Sequence, residues 1–440
     1  MTRRLSAPRL IALGFAVFMF LGTLLLKLPA STYDRISWVD ALFVSVSAAS
    51  VTGLSSVEFS DTFTKFGDTV IMVLIQVGGL GIMTFATLGA LLIGRGAGLR
   101  NLLTVREELG NVDSLRNTSR LLGQIAGITL LVEALGAMVL AFGFIRNGLG
   151  YGEGFFQAVF HAIMAFCNSG FNTLSSDGLS RYASDPFVNL ALVALIILGG
   201  LGFPVLVNLY RYRQMRRLTL HSKLVLITTA ALVLIGALSV AAFEWTNPAT
   251  LGSEPEGTRV WMSLFQGVTP RTAGFSTVDY EQMRESSLFV QIGLMFIGAA
   301  PASTGGGVRV TTLALLVLVV LTLVRGQEEV SAFGRRVPRP LLQKALAVLS
   351  ASALLVILAT LAIMITDGLR LVPAIFEITS AFGTVGLSMN VSQGLSPFAK
   401  LVVIGVMFWG RVGTITLILA LSARQKATKY VYPHEDIAIG

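Results

Sequence analysis

Val51-Thr52-Gly53-Leu54 closes a short apolar stretch, residues 40–49, and a helix-length apolar run follows it. The pattern recurs. Asn168-Ser169-Gly170-Phe171 closes residues 155–166, Thr272-Ala273-Gly274-Phe275 closes 259–267, and Thr384-Val385-Gly386-Leu387 closes 372–381. The four central glycines are 117, 104 and 112 residues apart, a period far longer than a solenoid's, so the chain reads as four equivalent modules. Each short stretch has about ten residues, where a helix needs ~20 to cross a hydrocarbon core. Such a segment enters the membrane and turns back. Irregular backbone at that depth is tolerated only where protein covers it or where it lines a water-filled path. Four re-entrant loops ending on glycines therefore imply a pore. The expected fold is an all-α polytopic membrane protein with four helix, pore-loop, helix repeats in pseudo-fourfold arrangement around it.

Composition agrees. With 54% hydrophobic and 13% charged residues, a 440-residue chain has too few charges to cover a soluble globule. Apolar runs at 10–28, 69–93, 121–144, 187–210, 224–243, 286–324, 342–365 and 401–421 give eight spans, so both termini face one side. Arg3, Arg4, Arg95, Arg100, Arg211, Arg213, Arg216, Arg217, Arg325, Arg335, Arg336, Arg424 and Lys426 all fall on that side, which the positive-inside rule makes cytoplasmic. The net charge of +9 is thus a topology signal rather than a sign of nucleic-acid binding. The repeats are expected at 1–100, 101–217, 218–338 and 339–421, with a cytoplasmic tail at 422–440. The first apolar run is long and reads as a retained helix, not a cleaved signal peptide. Cys167 is the only cysteine, which excludes an internal disulfide, and it reads as a packing residue. His161, His221 and His434 are scattered, with no metal-ligand spacing and no nucleophile with a base nearby, so the chain is not expected to be an enzyme.

A potassium ion crossing a membrane exchanges its hydration shell for oxygens of similar strength, and rings of backbone carbonyls can provide them. Inward-pointing carbonyls need dihedrals that ordinary residues resist and glycine allows. The candidate filter is therefore Val51, Thr52 and Gly53; Asn168, Ser169 and Gly170; Thr272, Ala273 and Gly274; and Thr384, Val385 and Gly386. A further glycine-rich stretch follows each filter glycine by 24 to 29 residues. Gly78-Gly79-Leu80-Gly81 and Gly199-Gly200-Leu201-Gly202 lie mid-helix and are expected to permit close packing.

The third and fourth modules depart from this. The run at 286–324 would be about 58 Å long as one helix, against a core of about 30 Å. It is expected to break at Gly298-Ala299-Ala300-Pro301-Ala302-Ser303-Thr304-Gly305-Gly306-Gly307, where Pro301 removes a donor and three glycines weaken the helix. A break below one filter glycine, in one module of four, reads as a gate comprising residues 299–307. Arg411, deep in the last span, should face protein or water, with carbonyls of that loop as its expected partners. Arg309 could plug or anchor the loop. Arg271 is expected to brace the third tetrad from behind, and Glu377 to hold the fourth by hydrogen bonds. Glu133 is a second mid-membrane charge, which a structural ion pair or a subunit contact explains as well as a role in conduction does.

These four tetrads, with the broken third run and Arg411, resemble the Trk/Ktr/HKT superfamily of potassium transporters over nearly the whole chain. Eight spans without an extra amino-terminal pair, and the tail 432–440, look most like its KtrB-type membrane subunits. The resemblance implies potassium uptake at the cytoplasmic membrane through a channel-like pore, with one filter strand per repeat and an intramembrane gating loop opposed by an arginine. It also implies a homodimer with two separate pores and a cytosolic, KtrA-like nucleotide-binding ring as regulator. The nucleotide would sit on that partner, and no cofactor is expected on this chain. All four filter glycines are present, which in this family goes with potassium over sodium; sodium dependence stays open. An alternating-access cation symporter, or a sodium-permeable member of the superfamily, is the alternative.

Overall fold

The computed structural model describes residues 7–80, 115–174 and 178–414. Gly81, Arg95, Arg100 and the tail at 422–440 lie outside the described residues, as do the far ends of the runs at 69–93 and 401–421.

The described chain is built of helices whose ends are written locally. Helix α1 (Ala7–Leu26) leads to α2 (Trp38–Ala49), which starts where the Ser37 hydroxyl accepts from Asp40 N. Thr64 caps α3 (Lys65–Gly79) in the same way, accepting from Gly67 N. Then come α4 (Leu115–Arg146) and α5 (Tyr151–Cys167). Asp185 caps α6 (Pro186–Gly200), whose first residue is a proline, a position where a missing N–H is harmless. A short α7 (Phe203–Tyr210) precedes α8 (Leu220–Glu244), α9 (Glu256–Val268), α10 (Glu285–Phe296) and α11 (Val310–Val324). A two-stranded hairpin, β1 (Ser331–Ala332) and β2 (Arg335–Arg336), pairs Ser331 with Arg336 and leads into α12 (Arg339–Asp367). Helix α13 (Leu371–Gly383) and then α14 (Pro397–Val412), capped by Ser396, complete it.

The short apolar stretches are α2, α5, α9 and α13, helices of 12 to 17 residues. Among the described residues, Gly123–Arg146, Leu220–Glu244 and Arg339–Asp367 are each long and apolar enough to cross a membrane unbroken. Their outward faces carry exposed leucines and isoleucines such as Leu130, Leu131, Leu234, Leu238, Ile357 and Leu358.

Packing runs in a cycle. Helix α1 lies on α2, α4 on α5, α8 on α9, and α12 on α13. The helix that follows each short helix then packs against the next short helix: α3 on α5, α6 on α9, α10 on α13, and α14 back on α2. The buried core follows the same seams. One cluster joins Val44, Phe160 and Phe265, from α2, α5 and α9, and another joins Phe43 to Phe382 and Met407. The four groups therefore share a core and do not form separate domains.

One expectation needs correction. Gly199 packs closely as expected, since a Cβ there would strike Phe166 O, but the run at 187–210 is not one helix. It is α6 and α7, bent by 102°. The bend falls at Gly202, whose φ of 84° suits glycine, and a Cβ there would lie 2.6 Å from Pro301 O. The break makes room for the loop between α10 and α11, and Ala302 O accepts from Phe203 N at 3.0 Å, a donor the bend had freed.

Candidate functional site

Three of the short helices, α2, α5 and α13, end on their tetrads in one manner. Thr52 N–H donates to Ser47 O at 2.8 Å and Val51 N–H to Ala48 O at 3.0 Å. Ser169 and Asn168 do the same toward Met164 and Ala165, and Val385 and Thr384 toward Ser380 and Ala381. These crossed bonds are those of a Schellman terminus, which places the next residue in the left-handed region. That residue is usually glycine. Here it is Val51 (φ 61°), Asn168 (61°), Thr272 (70°) and Thr384 (51°). Three of the four are β-branched, for which this region is a genuine outlier costing roughly 1–3 kcal/mol. Two residues on, Gly53, Gly274 and Gly386 are left-handed as well, while Gly170 is not. The sequence pattern pointed to the glycines and missed the strained residue ahead of them; asparagine at 168, which tolerates that region, was the available hint.

The third terminus differs in register. Phe265 stands nine residues before Gly274, where Phe43, Phe160 and Phe376 stand ten before their glycines. The long bond accordingly shifts by one, from Gly274 N to Thr269 O at 3.4 Å, and the Thr269 hydroxyl donates to Phe275 O.

The four glycines approach one another in chain order. A Cβ on Gly53 would lie 2.7 Å from Gly170 Cα, and one on Gly170 2.6 Å from Gly274 Cα. From Gly274 the distance to Gly386 Cα would be 3.0 Å, and from Gly386 to Gly53 Cα 3.2 Å. The loops ahead of them are buried, with Val51, Thr52, Asn168, Thr272 and Thr384 wholly inaccessible.

Side chains pin the segment after each glycine to its helix. His161 Nε2 is 2.9 Å from Asn172 Oδ1, Gln266 Nε2 donates to Ser276 Oγ at 3.1 Å, and Ser388 Oγ donates to Glu377 Oε2 at 2.8 Å. The partner is always two residues past the glycine, and the pin eight or nine before it. Glu377 was legible; His161 and Gln266 would have emerged from aligning the modules on their glycines. The first group has Val44 there and uses Asp40 instead, which accepts from Ser56 Oγ (2.8 Å) and from Lys400 Nζ (2.7 Å). Burial holds the Tyr280 hydroxyl protonated, far above the ordinary tyrosine range, so it remains a donor to Gln266 Oε1 at 2.7 Å. Gln266→Leu should therefore strand this hydroxyl, while Ser276 keeps its bonds to the Val278 backbone, and destabilise the detergent-solubilised protein by about 1–3 kcal/mol. An unfolding temperature equal to the parent's would show that the pin contributes nothing.

Arg271, 5% exposed, donates from Nη1 to Thr229 O on α8 at 3.2 Å, behind the third tetrad. Below the tetrads lies the loop from 297 to 309. Its base is zipped by Gly298 N to Val308 O (2.8 Å) and Val308 N to Phe296 O (3.3 Å). Its crest touches all the neighbouring groups. Ala300 N donates to Gly200 O at 3.0 Å, Thr304 Oγ1 to Phe166 O at 3.2 Å, and Gly306 N to Thr384 Oγ1 at 2.8 Å. A Cβ on Gly305 would strike the Thr272 side chain, 2.8 Å from its Cβ, so the glycines let the loop lie flat against the tetrads. Arg309 anchors the loop from within, donating to Ala300 O at 3.4 Å and to Gly305 O. Arg411, 2% exposed, donates to Thr304 O of the loop. It also reaches Gly78 O and Gly79 O at the end of α3, a second anchor the sequence did not suggest. Carbonyls at a helix C-terminus carry partial negative charge, which suits a guanidinium.

Buried, glycine-ended loops meeting between four groups of apolar helices suit a membrane transport protein. Residues 14–430 match the family model described as TrkH, cation transport protein, and the chain belongs to that family. It is an integral membrane protein. It is 39% identical to Ktr system potassium uptake protein B of Bacillus subtilis (strain 168), covering 99% of this chain and 97% of the relative. The protein of the same name from Vibrio alginolyticus is 37% identical, covering 98% and 95%. Potassium/sodium uptake protein NtpJ of Enterococcus hirae is 34% identical, covering 100% and 98%. The crystal structure of the potassium transporter TrkH from Vibrio parahaemolyticus superposes with a TM-score of 0.73 at 20% identity, covering 96% of this chain and 86% of that one, which speaks to the fold.

Proposed function

We propose that this chain is the membrane subunit of a potassium uptake system, passing K+ through a channel-like pore whose filter is the backbone of the four tetrads. The observation that carries the reading is the closure of the four glycines on one another, with left-handed φ at the first residue of every tetrad. Left-handed first and third residues, in three of the four tetrads, would turn successive carbonyls toward one side of the strand. Four such strands around an axis give rings of carbonyls able to replace a hydration shell. The cyclic packing supports a pseudo-fourfold arrangement of repeats at 1–100, 101–217, 218–338 and 339–421. In this reading the loop at 299–307 is the gate, held shut by Arg411. The names of the relatives favour potassium, with sodium as the alternative cargo.

Measurement of rubidium uptake into liposomes carrying the purified protein, with potassium and sodium as competitors, tests the reading. Uptake blocked by potassium and hardly affected by sodium is expected. No uptake above that of empty liposomes, with or without a cytosolic partner, would remove the function.

The chain would sit in the cytoplasmic membrane with both termini inside, and the exposed apolar faces of α4, α8 and α12 would meet lipid or a second copy in a homodimer. The basic segments at 211–223 and 325–344 would receive a nucleotide-binding cytosolic ring. Reversing Arg213, Arg335 and Arg336 to glutamate should abolish capture of that ring without altering insertion. Undiminished capture would return these residues to a topological role only.

A further inference from the structure

Glu133 lies in the middle of α4 and is 5% exposed. A carboxylate at such a depth is costly and needs a use. Its Oε2 accepts from Gln76 Nε2 at 3.1 Å, in the last turn of α3. Cys167, the final residue of α5, completes the cluster, its Sγ standing 3.6 Å from Gln76 Oε1 and 3.9 Å from Glu133 Oε1. The same last turn of α3 is wedged. A Cβ on Gly79 would lie 2.8 Å from Cys167 Sγ, and one on Gly78 would strike Ala49 O at the end of α2. Gly78 and Gly79 are the residues whose carbonyls receive Arg411.

We propose that Glu133 is a positioning residue for Arg411: by fastening Gln76 and Cys167 it fixes the end of α3, so that the Gly78 and Gly79 carbonyls stay aimed at the guanidinium. The path runs from a peripheral helix, through one side-chain hydrogen bond, to two helix-end carbonyls and then to the arginine that also grips Thr304. The wedged glycines set how closely α3 approaches α2 and α5, and Gln76, in the same turn, supplies its side-chain hydrogen bond to α4. A purely structural role would stabilise α4 against α3 without altering the loop. The inference rests on the gate reading, and the experiment separates the two.

Partner-free rubidium uptake by proteoliposomes is compared for the parent, Arg411→Ala, Glu133→Leu, Glu133→Gln and the double variant Glu133→Leu/Arg411→Ala. Glu133→Leu should raise uptake by about two- to tenfold, the bias that one lost hydrogen bond releases. Glu133→Gln, which keeps an acceptor for Gln76, should stay near the parent. The double variant should match Arg411→Ala alone, since Glu133 acts through Arg411. If Glu133→Leu does not reach the membrane folded, Gln76→Leu/Glu133→Leu, which orphans only the weakly polar Cys167 thiol, takes its place. Multiplied effects in the double variant, or parent-level uptake by the leucine variants while Arg411→Ala is raised, would overturn the role of Glu133 and leave the gate intact. Parent-level uptake by Arg411→Ala would overturn both the role of Glu133 and the hold of Arg411 on the loop.

Discussion

Excising residues 300–306 and rejoining the chain with a short linker should give a protein that takes up potassium without its cytosolic partner. The geometry allows the excision, because Gly298 and Val308 are already hydrogen-bonded at the base of the loop and the helices on either side need not move. It removes the crest that lies against Thr272 and Thr384, together with the bonds to Gly200, Phe166 and Thr384. Arg411→Ala should act in the same direction and more weakly. It deletes the donors to Thr304, Gly78 and Gly79 but leaves the loop's own attachments in place. Each charge-assisted bond is worth ~1.5–3 kcal/mol, and a bias of 1.4 kcal/mol is a tenfold change in an equilibrium, so about tenfold or more is expected for Arg411→Ala. The check is rubidium uptake by proteoliposomes lacking the partner, with the amount of folded protein measured in each. Parent-level uptake by both variants would make the loop a static kink.

Much of this arrangement could be read from residues alone, and the failures have a common cause. The short helices, their glycine termini and the break after Phe296 follow from local signals: apolar length, Pro301, and three glycines in a row. What escaped depended on distant chain. The sharp bend at Gly202 exists because Pro301 and Ala302, some hundred residues later, fill the space and satisfy Phe203 N. The left-handed Val51 and Thr384 defy local propensity, since nothing short of a surrounding structure that fixes the helix terminus would hold a β-branched residue there. Arg411 was readable as a buried charge in need of oxygens, and the Thr304 carbonyl was among those expected. Its grip on α3 was not, because no local pattern reports which helix end an arginine some 330 residues further along will reach.

Gly53→Ser should blunt discrimination between potassium and sodium more than it blunts uptake. Gly53 sits at φ 95°, where an L-residue is strained, and its added Cβ would meet Gly170, 2.7 Å from that Cα. The first strand cannot accept the methylene by itself; it must retreat or push the second strand aside. Nor is the second strand free to yield, since Gly170 is backed by Gly274 at a comparable distance. A left-handed non-glycine residue costs roughly 1–3 kcal/mol, enough to displace the strand rather than be absorbed by it. In the proposed filter one carbonyl in each ring then sits off its position. Sodium, which holds its water more tightly, gains from looser oxygens while potassium loses coordination, so the flux ratio should fall by about tenfold, or ~1.4 kcal/mol of differential binding. Gly405→Ser is the control, a glycine in α14 with nothing within 4 Å of its would-be Cβ, and it should leave the ratio at the parent's value. Potassium and sodium uptake measured side by side in the same proteoliposomes decides the matter. An unchanged ratio in a folded Gly53→Ser protein would mean that the backbone at this glycine does not choose the ion.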